Sequence, residues 1–177
     1  MNLSAYEKEQ LKQLARQTIE DVLFDRDKSE FEPTETLKEK RGAFVTVKKN
    51  NQLRGCIGYI KGVLPLYETI REMAIQAAFR DPRFTPLQEN EWKDVDIEIS
   101  VLTPMKKIND VSEIDVGVHG LYIEKGPYSG LLLPQVATEH RWDSVTFLEN
   151  TCYKAGLQKD AWKSKDTVIY VFSADVF

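Results

Sequence analysis

Residues 43–60 have the sequence AFVTVKKNNQLRGCIGYI, which is typical of a β-hairpin. Residues 43–47 are rich in strand-forming side chains, and residues 53–60 resume a strand. Between them, Asn50 and Asn51 tolerate the left-handed backbone angles that a tight hairpin turn requires. The sequence therefore predicts two antiparallel strands joined by a short turn.

Amphipathic helices are predicted on both sides of this hairpin. Ser4 and Glu7 have the spacing of a capping box, and apolar residues follow at helical intervals up to Leu23. Pro65 opens a second helix, which has one apolar face and ends before Asp81-Pro82. We expect this second helix to cross the hairpin sheet.

The second half of the chain predicts further strands in pairs. Residues 95–101 alternate apolar and polar side chains, and a second hairpin is predicted around a five-residue turn at 126–130. A helix runs from Asp143 to a stop at Gly156, and residues 167–174 form a final strand. Because strict alternation of strand and helix is missing, the fold class is α+β with a mainly antiparallel sheet flanked by helices.

Length and composition limit the class of protein. The chain has 177 residues, of which 42% are hydrophobic and 29% charged, as in soluble globular proteins. We expect residues 1–177 to form a single domain. No apolar run is long enough for a membrane span, and the first residues do not form a basic segment followed by an apolar one, as in a signal peptide. We therefore expect a cytoplasmic protein with no membrane partner. Its two cysteines, Cys56 and Cys152, suit a reducing compartment.

Several kinds of partner are not expected. The net charge is −4 and the basic clusters are short and mixed with acids, which argues against nucleic acid. The cysteines and histidines lack the short paired spacings of structural zinc sites. Neither of two glycine-rich phosphate-binding patterns, Gly-x-Gly-x-x-Gly and the Walker pattern, occurs. We therefore predict no metal and no cofactor.

Cys56 is the leading candidate for chemistry. In a regular strand, Arg54 and Cys56 point to the same face, and a nearby cation stabilises a thiolate. The flanking Gly55 and Gly58 would let a ligand or another backbone approach closely. These residues predict an activated nucleophile or an anion-binding spot. The alternative is a small buried cysteine beside glycines that allow tight packing.

A cysteine nucleophile usually recruits a base. His119, which opens a predicted strand, is the better placed of the two histidines, and Glu98 is a candidate for the orienting carboxylate. The alternative for His119 is a turn residue without a catalytic role. Separately, Arg80 and Arg83 flank Asp81 and are predicted to hold a carboxylate, either the protein's own or a substrate's.

Four motifs occur in an order that resembles the AMMECR domain family. They are LRGCIG at 53–58, AAFRDPRF at 77–84, GVHGL at 117–121 and LLLPQVA at 131–137. The resemblance covers roughly residues 43–177. It implies an α+β fold with two unequal lobes around an antiparallel sheet, and a cleft in which the Arg-Gly-Cys strand is a proposed site. Bacterial and archaeal members resemble components encoded beside a Memo-type protein and a radical S-adenosylmethionine (SAM) enzyme.

Two functions follow, and the sequence leaves both open. The first is a cleft enzyme acting on a small molecule or modified peptide, with Cys56 as nucleophile, Arg54 holding an anion and His119 as base. The alternative is a non-catalytic partner-binding or scaffold protein in a pathway with the Memo-type and radical SAM proteins.

Overall fold

The computed structural model describes residues 3–177, which form two compact units. The first unit comprises residues 3–102 together with 175–177, and the second comprises residues 103–174. Each unit has its own hydrophobic core and its own four-stranded sheet. The predicted α+β class with antiparallel strands and flanking helices is confirmed. That the chain is one domain stays a prediction.

The regular elements are four α-helices and eight strands within residues 3–177. The helices are α1 (Ala5–Leu23), α2 (Leu66–Phe79), α3 (Pro134–Glu139) and α4 (Ser144–Lys154). The strands are β1 (Ala43–Lys49), β2 (Gln52–Tyr59), β3 (Val95–Leu102), β4 (Lys106–Ile108), β5 (Gly120–Lys125), β6 (Tyr128–Leu132), β7 (Val168–Phe172) and β8 (Ala174–Val176). Short 3-10 helices cover Thr36–Lys38, Glu89–Asp94, Val111–Glu113 and Ala161–Lys163.

The sheet of the first unit has the order β2-β1-β3-β8. Alternate residues of β1 and β3 are buried in the core beneath α1 and α2, among them Val45, Val47 and Ile99. The residues between them, including Thr46 and Glu98, are only half-buried. The sheet therefore has one face packed on the helices and an opposite face that carries polar side chains.

The predicted first hairpin is confirmed. Asn50 and Asn51 join β1 to β2 with φ angles of 50° and 64°, so both adopt the left-handed conformation that the turn needs. The register shifts between Val47, which pairs with Gly55, and Lys48, which pairs with Leu53. Arg54 is therefore the extra residue of a β-bulge.

The N-terminal capping box is also confirmed. Ser4 Oγ accepts a hydrogen bond from the backbone N–H of Glu7 at 3.2 Å, and Ser4 N donates to Glu7 Oε2 at 2.9 Å. Thr34 Oγ1 donates to Glu7 Oε1 at 2.7 Å. These donors hold the pKa of the buried Glu7 carboxyl at about 2, so α1 begins on an ionised, fully hydrogen-bonded cap.

The sheet of the second unit has the order β4-β7-β5-β6. The β5–β6 turn is shorter than the predicted five residues, because Ser129 pairs with Glu124 and Tyr128 with Lys125. Only two residues remain in the loop, and Gly126 supplies a φ of +55°. The glycine of β6 has a different role. A Cβ on Gly130 would lie 2.6 Å from the backbone nitrogen of Ala155, so the glycine permits close packing after α4.

The end of the chain differs from the prediction of one strand at 167–174. β7 lies in the second sheet, whereas β8 joins the first sheet beside β3. Ile99 and Phe177 exchange two backbone hydrogen bonds, of 2.9 and 3.1 Å. β4, which pairs with β7, has only three residues and so lacks a recognisable alternation. No helix within residues 3–177 has the length and hydrophobicity of a membrane span.

Candidate functional site around Cys56

Three polar side chains form a row across the open face of the first sheet. Thr46 on β1 pairs with Cys56 on β2 and with Glu98 on β3. Neighbouring strands are about 5 Å apart, so the row presents a thiol, a hydroxyl and a carboxylate at steps of about that length. Lys48 Nζ lies on the same face and donates to Glu98 Oε2 at 2.7 Å. This row is the candidate site.

The Cys56 thiol is half-buried and accepts a hydrogen bond from the neighbouring strand. Thr46 Oγ1 donates to Cys56 Sγ at 3.2 Å. The contact holds the sulfur against β1, on the sheet face that also carries Glu98.

The backbone of Cys56 is clamped by two side chains. Because β2 is an edge strand, the N–H and C=O of Cys56 have no strand partner on that side. Cys56 N donates to Asp81 Oδ2 at 2.9 Å, and Arg83 Nη2 donates to Cys56 O at 3.1 Å. Both side chains follow α2, so the segment after this helix fixes the position of the cysteine.

Asp81 and Arg83 also bind each other. Arg83 donates to the Asp81 carboxylate from Nε at 3.0 Å and from Nη2 at 2.7 Å. The guanidinium holds the pKa of the Asp81 carboxyl well below its usual range, and Asp81 in turn raises the pKa of Arg83. The prediction that an arginine here would hold the protein's own carboxylate is confirmed for Arg83.

Arg54 makes different contacts from Cys56. Its guanidinium binds both oxygens of Glu91, at 2.9 and 3.2 Å, and donates to the backbone carbonyl of Thr85 at 2.8 Å. Lys49 also donates to Glu91, at 2.9 Å. None of the hydrogen bonds that Arg54 makes within residues 3–177 reaches Cys56. The expectation of a shared face assumed a regular strand, and the bulge at Arg54 breaks that regularity.

The two glycines beside Cys56 are filled by the protein itself. A Cβ on Gly55 would lie 2.0 Å from the carbonyl oxygen of Ala77 in α2. A Cβ on Gly58 would lie 2.4 Å from the Phe44 ring and from the carbonyl oxygen of Ala43. Tight packing, which was the structural alternative, therefore explains both glycines without a ligand.

His119 lies in the second unit, directly before β5. It is half-buried, and its Nδ1 accepts a hydrogen bond from the backbone N–H of Asp115 at 3.0 Å. The structure thus brings Cys56 and Glu98 to one sheet face and fixes one nitrogen of His119. The role of His119 as a base stays a prediction.

The family of the chain follows from its likeness to known proteins. A model of the AMMECR1 family matches residues 12–177. This chain belongs to the AMMECR1 family. Protein MK0488 of Methanopyrus kandleri is 47% identical to this AMMECR1-family chain over 185 residues, covering 99% of the chain and 89% of that protein. A protein of Aquifex aeolicus is 48% identical over 159 residues, covering 84% and 82%.

A crystal structure supports the AMMECR1 fold. The uncharacterized protein PH0010 of Pyrococcus horikoshii superimposes with a TM-score of 0.87 at 42% sequence identity. The match covers 98% of this chain and 92% of that chain. The likeness shows the family and the fold, and it assigns no reaction to the AMMECR1-family chain.

Four residues of the AMMECR1 site escaped the sequence reasoning or received a different role. Thr46 and Lys48 are β1 residues whose contact with the row depends on strand register. The sequence predicts that Arg83 holds a carboxylate, but it does not predict that Asp81 and Arg83 bind the backbone of Cys56. A signal that could have drawn attention to Asp81 and Arg83 is their opposite charges, two residues apart, directly after an apolar helix. Within residues 3–177, no cluster of three or more metal-binding side chains occurs.

We expect Glu91 to make the AMMECR1-family chain sensitive to acid. Arg54 and Lys49 hold the pKa of the Glu91 carboxyl at about 2, against 4.5 for a free glutamate. A carboxyl with a lowered folded-state pKa stabilises the fold above pH 4.5 and loses this contribution as the pH falls towards 2. The contribution at neutral pH is on the order of 2–3 kcal/mol.

Urea unfolding of the wild type and of Glu91→Gln at pH 7, 5 and 3 measures this effect. We expect the variant to be less stable at pH 7 and the difference to shrink at pH 3. An equal difference at all three pH values would show that the Glu91 charge does not carry the stability.

Proposed function

We propose that Cys56 is the nucleophile of a group-transfer enzyme that acts on a small molecule or modified peptide. The single observation that carries the proposal is the environment of the sulfur. Cys56 is half-buried and its Sγ accepts the Thr46 hydroxyl hydrogen bond, while Asp81 and Arg83 fix the cysteine backbone. A cysteine that only fills space needs neither accessibility nor a hydrogen-bond donor.

The proposed chemistry is attack on a carbonyl carbon. The thiol proton passes to a base and the thiolate forms a carbon–sulfur bond. The leaving group departs with the electron pair of its broken bond and takes the proton from the base. Water then splits the thioester and restores the thiol. His119, the base that the sequence predicts, belongs to the second unit, and its role stays a prediction. Glu98 lies two strands away from Cys56, so its proposed role is to orient the substrate along the row together with Lys48.

The guanidinium nearest the cysteine backbone is that of Arg83, and its side chain is 54% exposed. Arg83 is therefore proposed to attract an anionic substrate group. Arg54 keeps a positioning role in the proposal, because its contacts with Thr85 and Glu91 tie β2 to the segment that follows α2. This assignment replaces the anion-holding role that the sequence predicts for Arg54.

The second candidate function is partner binding. It is favoured by the structural explanations for Arg54, Gly55 and Gly58, which leave less of the motif for catalysis. In this version Cys56 belongs to a docking surface for a protein or peptide. A Memo-type or radical SAM pathway protein is the partner that the family resemblance implies.

Thiol reactivity separates the two candidates. We expect iodoacetamide to modify Cys56 in the native protein and to leave Cys152 unmodified, with rates that differ by roughly a hundredfold or more. Cys152 is fully buried, and burial raises the pKa of its thiol. Mass spectrometry of the digested protein reports both rates. If Cys56 reacts only after urea unfolds the chain, the nucleophile proposal is wrong and partner binding stands.

A conservative variant tests the thiolate environment. Thr46→Val removes the hydroxyl donor and keeps the side-chain shape, so we expect the native Cys56 rate to fall about fivefold, the equivalent of ~1 kcal/mol for one hydrogen bond. Thr138→Val is the matched control, because Thr138 is exposed on α3 and its hydroxyl donates to the backbone carbonyl of Gln135. Equal rates in both variants would remove Thr46 from the site.

A further inference from the structure

A second concave surface lies on the helical side of the first unit. It is a groove of about 820 Å³ between the C-terminal part of α1, the segment 28–31 and the first turns of α2. This volume lies in the range of small-molecule sites. The groove shares no lining residue with the row of Cys56, Thr46 and Glu98.

The groove contains a guanidinium without a counter-ion. Arg71 on α2 is half-buried and donates from Nη2 to the backbone carbonyl of Ser29. Its Nε is buried and has no hydrogen-bond partner within residues 3–177. No carboxylate in this part of the chain lies within ion-pair distance of Arg71. A half-buried positive charge of this kind is stabilised when a ligand supplies an anionic group.

Carboxylates on the same helix also lack cationic partners in the described structure. Glu68 accepts a hydrogen bond from the Tyr67 hydroxyl at 2.9 Å, and Glu72 accepts one from the Tyr59 hydroxyl at 2.7 Å. Both carboxylates line the groove with Arg71. On α2 the groove therefore offers one group for an anion and two for a cation within one and a half turns. Lys28 and Asp21 from the facing segments add one charge of each sign.

The remaining wall is apolar. Phe31 and Tyr67 stack with ring centroids 6.0 Å apart, and Leu64 and Ile75 extend the surface. Val22 of α1 is 48% exposed on the opposite side. Apolar surface next to separated charges of both signs fits a ligand that has an apolar side chain and both charges.

We infer that this groove binds a zwitterion with a large apolar side chain, namely an apolar amino acid or a short peptide with free termini. The carboxylate pairs with Arg71, the ammonium group pairs with Glu68 or Glu72, and the side chain lies against Leu64 and Ile75. A simple anion fits less well, because the lining also includes Asp21 and so has more acids than bases. The inference does not rest on the thiol chemistry.

The test uses the full chain and the dipeptide leucyl-leucine. We expect saturable chemical-shift changes in the methyl groups of Val22, Leu64 and Ile75 during an NMR titration. N-acetyl-leucyl-leucine lacks the ammonium group and leucyl-leucine amide lacks the carboxylate, and each is expected to bind at least tenfold more weakly. No saturable change up to about 10 mM, or equal binding of all three peptides, overturns the inference.

Charge variants assign the two ends of the ligand. Arg71→Gln is expected to lower the affinity for leucyl-leucine at least tenfold. The affinity for leucyl-leucine amide, which is already weak, should not change. Arg80→Gln is the matched control, since Arg80 is exposed at the end of α2 and forms no ion pair within residues 3–177. Glu68→Gln changes an exposed residue, so it provides a second test of the charge pairing if Arg71→Gln fails to fold. Glu68→Gln should lower the affinity for leucyl-leucine but not the affinity for the acetylated peptide. A loss of affinity for the acetylated peptide alone overturns the inference.

Discussion

Gly55→Ala is expected to lower the free energy of unfolding by about 3–4 kcal/mol, the largest effect among the single substitutions considered. The added Cβ would lie 2.0 Å from the carbonyl oxygen of Ala77, and this oxygen belongs to the backbone of α2. Backbone cannot rotate away as a side chain can, so α2 must separate from β2. Urea denaturation followed by circular dichroism measures the loss.

Gly126→Ala provides the control for the Gly55 prediction. Gly126 has a φ of +55°, but no atom lies within 4 Å of a Cβ placed there. This variant therefore changes backbone strain alone, and we expect a loss of about 1 kcal/mol. If the two variants lose equal stability, steric contact with α2 is not the reason for glycine at position 55.

Asp81→Ala is expected to cost about 3 kcal/mol. The Asp81 side chain is 1% exposed and accepts hydrogen bonds from the backbone of Cys56 and from the Arg83 guanidinium. Removing the carboxylate leaves the Cys56 N–H without a partner on an edge strand. We expect faster amide hydrogen exchange at Cys56 as well, because this strand edge loses its clamp.

The Asp81 prediction has two comparisons. Asp81→Asn keeps the shape and loses the charge, so it should fall between the wild type and Asp81→Ala. Asp166→Ala changes an exposed aspartate, and its effect should stay within about 0.5 kcal/mol. A loss for Asp81→Ala as small as that for Asp166→Ala would mean that water replaces the carboxylate at no cost.

Much of the fold was predictable from local signals. The capping box at Ser4, the two asparagines of the first hairpin and the stop at Gly156 each act within a few residues, and each is present. β8 was not predictable as a separate strand. Residues 167–174 show no alternation that marks a break, and the change from one sheet to the other at Ser173 depends on which distant strands are available.

The site was less predictable, for a physical reason. A two-residue period places Arg54 and Cys56 on one face only while the strand stays regular. The bulge that separates their contacts requires knowledge of β1 and its register. Thr46 reaches the sulfur by the same register, and Arg83 reaches the Cys56 carbonyl across 27 positions of the chain. Such contacts leave no periodic signal in the sequence.

The first unit is built from two separated stretches of chain, and this has a consequence for biosynthesis. When the ribosome has made residues 3–102, β3 is an edge strand whose outer N–H and C=O groups await β8. Ile99 gains its partner Phe177 only after the whole second unit has been translated. During that interval the nascent polypeptide exposes the unpaired outer edge of β3 to other chains. We expect a chaperone that binds nascent chains to associate with this AMMECR1-family chain mainly between these two points of translation.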